Sequence, residues 1–114
     1  MMDGLTVTRE ILKQLIEKAQ AEGASRITRV VIEVGELSGL DTKEMQTHFE
    51  QLSQDTLAQG AKLSITSIPL KVRCLSCSTE YNAGGFKMTC THCGSISSEL
   101  ISGNELRVKE MEVG

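Results

Sequence analysis

A chain of 114 residues, 24% charged and 39% hydrophobic, has room for one ordinary domain with a small appendage and fits a soluble globular protein. Its net charge of −3 comes without the basic stripe that nucleic-acid binders carry, and no run approaches the roughly 18 apolar residues of a membrane span. Aromatics are confined to Phe49, Tyr81 and Phe86, so Leu, Ile, Val and Met must build the core.

The opening MMDGLTVTRE has neither a basic head nor a long apolar stretch. No secretion signal is expected, which places the chain in the cytoplasm and its cysteines in a reducing compartment. TREILKQLIEKAQAEG sets Ile11, Leu12, Leu15, Ile16 and Ala19 on one helical face, with Lys13, Glu17 and Lys18 opposite. The spacing predicts a helix over 6–21, stopped at Gly23. In ITRVVIEVGEL, Val30, Ile32 and Val34 alternate with Arg29, Val31 and Glu33, the pattern of a strand with one apolar face. Asp41 and Glu44 then form a capping-box pair ahead of Met45, Phe49 and Leu52, predicting a second helix over 42–52. A second strand alternates through Leu63 and Ile65 as far as Pro69, which cannot continue a central strand. The final segment, GNELRVKEMEVG, reads as a strand whose phase slips. Leu106 and Val108 share one face and Met111 and Val113 the other, so either a bulge lies near Lys109 or both faces are covered. Two strands make a weak sheet, so this last one is expected to return and pair with them.

Between these strands lies CLSCSTEYNAGGFKMTCTHCG, which holds all four cysteines as two CxxC pairs. A short CxxC loop aims two sulfurs at one centre, and a second pair completes a tetrahedron. Cys74, Cys77, Cys90 and Cys93 are therefore expected to hold a structural Zn²⁺, with Gly94 forming a tight knuckle turn. The apolar residues around the site are Leu75, Tyr81, Phe86 and Met88, too few to fold a lobe by burial alone. A structural zinc supplies about 10–16 kcal/mol of apparent binding energy in small peptides, which is enough. A thioredoxin-type redox pair would need one CxxC at a helix start, and four thiolates leave no open position for catalytic water. Iron in a rubredoxin-like S₄ site remains chemically open. With zinc bound, the local balance of Lys71, Arg73 and Lys87 against Glu80 and Glu99 turns acidic, which argues against a nucleic-acid ribbon. His92, inside the second knuckle, is expected to face solvent, and His48, beside Phe49, to be a partly buried packing residue. No Ser/His/Asp or Cys/His constellation suggests catalysis.

Taken together, VVIEVGELSGLDTKEMQTHFE, AKLSITSIPLKVRC, the paired CxxC motifs and LISGNELRVKEMEV resemble the HypA/HybF family, the nickel-inserting hydrogenase maturation factors. The resemblance covers essentially the whole chain. It implies an α+β fold in which two helices pack on a three-stranded mixed sheet, with an inserted rubredoxin-like zinc ribbon. Residues 1–69 plus 104–114 would form the nickel-domain-like core and 70–103 the zinc-ribbon lobe. The family binds nickel at an opening Met-His-Glu, where the terminal amine, backbone amides and imidazole can wrap Ni²⁺ in a square plane. Here Met2 stands in the histidine position and Asp3 in the acidic one, and starting at Met2 would put Asp3 there instead. Met1 through its amine, Met2 and Asp3 mark the nickel position, with oxygen from Asp3 giving a looser site. Two readings follow. The chain is an accessory metallochaperone with transient Ni²⁺ and structural Zn²⁺, or a divergent member that keeps the scaffold and partner surface without chelating nickel. The implied partners are the hydrogenase maturation GTPase and the [NiFe]-hydrogenase large-subunit precursor, with no nucleic acid and no membrane. The chain itself is read as a monomer or homodimer.

Overall fold

The computed structural model describes residues 3–114. Helix α1 (Gly4–Ala21) begins two residues before the predicted start, because the Asp3 carboxylate accepts the Leu5 N–H at 3.0 Å and caps the first turn. Periodicity alone could not see this, since Gly4 and Leu5 precede the apolar stripe. Leu12, Leu15 and Ala19 are buried along that stripe, and Ile11 and Ile16 pack at its margins. The helix ends as expected: the Gly23 N–H returns to Gln20 and that of Ala24 to Ala19, a Schellman closure.

Strand β1 (Ile27–Gly35) is followed by one 3₁₀ turn (Glu36–Ser38) and by α2 (Thr42–Leu52), whose bounds match the prediction. Asp41 caps α2 by accepting the N–H groups of Lys43 and Glu44. Strand β2 (Lys62–Ile68) pairs parallel to β1, with α2 as the crossover that a parallel pair requires. Strand β6 (Leu106–Val113) returns antiparallel on the other side, giving the order β2-β1-β6. This is the expected mixed three-stranded sheet carrying two helices.

The phase slip in the last strand is a bulge. Val31 faces Glu110 while Ile32 faces Val108, which leaves Lys109 as the extra residue. Leu106, Val108 and Met111 therefore lie opposite Val34, Ile32 and Val30, and both Leu106 and Met111 pack against the core. The core joins Val30, Ile32 and Val34 to Leu12, Leu15, Met45, Phe49 and Leu63. Fully burying one such side chain contributes about 1.5–3 kcal/mol. On the open face, Arg29 pairs with Glu110 and Glu112, and Arg107 with Glu33. The exposed Arg29 pairs each add at most about 1 kcal/mol, so they favour the register more than they hold the sheet. Val31 is nonetheless 8% exposed on that face, flanked by Ser64 and Glu110.

The inserted segment folds into a second sheet. Strands β3 (Lys71–Cys74), β4 (Glu80–Asn82) and β5 (Ser98–Ser102) take the order β4-β3-β5, both pairings antiparallel. This sheet has a small cluster of its own: Leu70, Val72, Tyr81 and Ala83 with Cys74 and Cys90. Leu75 and Met88 are exposed, and Leu70 and Val72, just outside the cysteine window, take the inner places. The whole molecule is elongated, 55 × 23 × 18 Å. Among the described residues, no helix is long and apolar enough to cross a membrane.

Candidate metal centre

The four cysteines come from two loops with the same backbone plan. In the first, the Ser78 N–H donates to the Cys74 carbonyl and the Cys74 N–H to the Thr79 carbonyl, both at 2.9 Å. In the second, the Gly94 N–H donates to the Cys90 carbonyl at 3.0 Å and the Cys90 N–H to the Ser95 carbonyl at 2.8 Å. Each loop turns through a left-handed residue at the fifth position, Gly94 with φ +77° and Ser78 with φ +65°. Glycine adopts that geometry freely, whereas a serine there is strained. Hydrogen bonds from Leu75 N–H to the Ser97 carbonyl and from Ser76 to Ser95 tie the two loops together.

This doubling gathers the sulfurs. All four ligand atoms lie within 4.8 Å of one another, the one such group of His, Cys, Asp and Glu among the described residues. Cys74 and Cys93 are 3.5 Å apart and Cys77 and Cys90 3.7 Å. A tetrahedron with metal–sulfur bonds of about 2.3 Å spaces its sulfurs about 3.8 Å apart, so the cluster has the dimensions of a filled Cys₄ site. The separations are far too long for disulfides, and all four thiols are free.

Local hydrogen bonding grades the thiols. The Cys77 backbone N–H, with help from that of Ser76, lowers Cys74 to about 6 despite its burial. Thr79, through its hydroxyl first and its N–H second, lowers Cys77. Cys93 receives the Ser95 N–H, which favours its thiolate, yet the neighbouring sulfurs of Cys74, Cys77 and Cys90 push it up to about 12. Four thiolates so close together repel, so the last proton leaves only when a cation compensates. Cys90 accepts the N–H groups of His92 and Cys93 at 3.4 and 3.5 Å. Such a set suits a soft divalent ion held without an open position, and it leaves no place for a reacting water.

Of the residues proposed at the nickel position, Met1 and Met2 lie outside the described residues. Asp3 is exposed, and its carboxylate is occupied by the Leu5 N–H and, at 3.3 Å, by the Thr6 hydroxyl. Any metal taking Asp3 oxygen competes with the helix cap. His92 is exposed and His48 half-buried, as their positions suggested. Sequence reasoning missed the supports: Thr79 beside Cys77, Ser78 in its strained turn, and the capping by Asp3. Only the cap had a readable signal, an Asp just ahead of a helix.

A family model described as "Hydrogenase/urease nickel incorporation, metallochaperone, hypA" matches residues 2–113. The chain is 33% identical over 112 residues to the hydrogenase maturation factor HypA of Acidithiobacillus ferrooxidans, covering 98% of this chain and 99% of that one. It is 38% identical over the same length to HypA of Geobacter sulfurreducens, with the same coverage. Its fold is similar to the solution structure of the nickel metallochaperone HypA from Helicobacter pylori, with a TM-score of 0.67 and 26% identity, over 98% of this chain and 97% of that one.

Proposed function

Since the chain belongs to the HypA family of nickel metallochaperones for hydrogenase maturation, we propose that it helps insert nickel into a [NiFe]-hydrogenase while a structural Zn²⁺ orders its second lobe. Cys74, Cys77, Cys90 and Cys93 hold the zinc. The observation that carries this reading is the meeting of those four sulfurs within 4.8 Å, at the spacing of a closed tetrahedral site. Residues 1–69 with 104–114 form the nickel-type core and 70–103 the zinc lobe, a division supported by the two separate sheets and their two apolar clusters. A role in hydrogenase maturation implies hydrogenase-related partners. We assign these as the maturation GTPase and the large-subunit precursor, meeting this chain in the cytoplasm, with no chemistry catalysed by the chain itself.

Nickel is the cargo, carried at Met1, Met2 and Asp3. Thioether sulfur is a poor partner for Ni²⁺ beside amide nitrogens, and the Asp3 oxygens are already engaged as a cap. Binding is therefore weaker than at an opening with histidine second. Calorimetric nickel titration of the chain starting at Met1 tests this. Met2→His should tighten binding by at least about tenfold and bring in a square-planar absorption band. An unchanged affinity would mean that nickel is held elsewhere. A sample with free thiols and no zinc after purification would remove the zinc assignment.

A further inference from the structure

Two stretches of chain join the lobes, Pro69–Leu70 outward and Gly103–Glu105 back. The returning stretch is welded to the turn after β1. The Gly35 N–H donates to the Glu105 carbonyl at 2.6 Å and the Leu37 N–H to the Gly103 carbonyl at 2.8 Å. Gly35 and Gly103 pass so closely that a β-carbon on Gly35 would fall 2.0 Å from the Gly103 oxygen. Among the described residues, the outgoing stretch has no such backbone ladder. It is tied at Pro69, whose carbonyl accepts the Ser102 hydroxyl at 3.0 Å, and at Leu70, which is 2% exposed and belongs to the zinc lobe's own cluster with Val72, Cys74 and Cys90. The Leu70 carbonyl accepts the Ala83 N–H inside that lobe, while its N–H donates at 2.8 Å to Oε1 of Glu36, a residue of the core. The second oxygen, Oε2, lies 3.1 Å from where a β-carbon on Gly84 would stand, so the same carboxylate abuts another loop of the lobe.

We propose that Glu36 is a positioning residue whose carboxylate latches the second lobe to the core, so that the two move as one body and the lobe's metal-ordered state is coupled to the latch. The coupling half rests on the zinc reading above; the orientation half does not. The physical case is one of unmatched donors. Leu70 presents a buried N–H whose partner comes from the other lobe, and a charged acceptor makes that bond stronger than a neutral one. The lobe offers this N–H in place only when β3 is ordered up to Cys74. By reciprocity, whatever orders the lobe favours the latch, and the latch favours the ordered lobe. Glu36 as a whole is exposed, so water replaces part of a lost bond and the effect is several-fold rather than a hundredfold.

The test uses the full metal-loaded chain as wild type, Glu36→Ala and Glu36→Gln, reading amide residual dipolar couplings together with zinc retention against a chelator. Wild type and Glu36→Gln, which keeps an acceptor oxygen, should fit a single alignment tensor over both lobes. Glu36→Ala should need two tensors, with shifts within each lobe unchanged, and should hold zinc about three- to tenfold more weakly. A single tensor in Glu36→Ala overturns the proposal. Should that variant fail to fold, Glu36→Ser, whose hydroxyl is too short to reach the Leu70 N–H, must separate the tensors, and a single tensor there also overturns it. Metal analysis of the wild type reports on the zinc reading separately, and the tensor comparison is decided with whichever metal the chain carries.

Discussion

Each of the two lobes carries a three-stranded sheet, long strands in the core and short ones in the second lobe, and the two differ in what lies buried against them. The core sheet buries Val30, Ile32 and Val34 beneath Leu12, Leu15, Met45 and Phe49, a continuous apolar layer between strands and helices. Among the described residues, neither α1 nor α2 contributes to the second sheet's buried cluster. That cluster is Leu70, Val72, Tyr81 and Ala83, completed by the cysteines Cys74 and Cys90 themselves. Four modest side chains are too little apolar burial to order a lobe of this length by themselves. A metal binding energy of about 10–16 kcal/mol added to that burial does far more than any single contact in the lobe. On the proposed zinc reading, one short chain uses area burial where it has aliphatic residues and coordination where it does not.

Several changes break or sharpen this contrast. The largest effect belongs to Cys90→Ser, which removes a buried ligand. It should abolish tight zinc binding and disorder 71–102 while leaving the helical circular dichroism nearly intact, because α1 and α2 sit on the other lobe. Phe49→Ala should act in reverse, costing about 3–5 kcal/mol in chemical denaturation of the core, with the thiolate–metal absorption of a cobalt-substituted sample unchanged. Acid provides the third handle. The metal-free lobe binds more protons than the zinc-bound one, so zinc affinity rises with pH. Cys93, pushed up to about 12, competes with metal throughout the neutral range, and Cys74, at about 6, joins it on acidification. Chelator competition from pH 8 to pH 5 should therefore show a slope that steepens below about pH 6. The smallest expected effects are local. Asp3→Ala should cost about 1 kcal/mol through loss of the α1 cap, and Asp3→Ser much less, since serine still caps. Ser78→Gly should relieve the left-handed turn and stabilise the metal-bound lobe by up to about 1 kcal/mol, read as slower zinc loss.

Much of this was legible in the sequence, for reasons specific to each segment. The α2 boundaries could be read because Asp41 stands just before a run with Met45 and Phe49 at helical spacing. The slip between Val108 and Met111 left two readings, a bulge or a strand covered on both faces, and the register decides for the bulge, because strand alternation has an exact period and one extra residue must break it. The gathering of the four cysteines was plain from two CxxC pairs. The short strands β3 to β5 were not, because segments of three to five residues such as Glu80–Asn82 carry too little alternation to register. Nor was the lobe's small core, since Leu70 and Val72 lie before the first cysteine and look like the tail of β2. The link from Glu36 to Leu70 spans 34 residues and joins a side chain to a backbone N–H, a contact that no local pattern encodes.

Residue-resolved amide hydrogen exchange on the reduced chain, before and after zinc is withdrawn by a chelator, tests the division of labour most directly. The account predicts that protection in β3, β4 and β5 vanishes with the metal while α1, α2 and the β2-β1-β6 sheet keep theirs. Protection that survives in β3 to β5 without metal, or that collapses across both lobes at once, would contradict it.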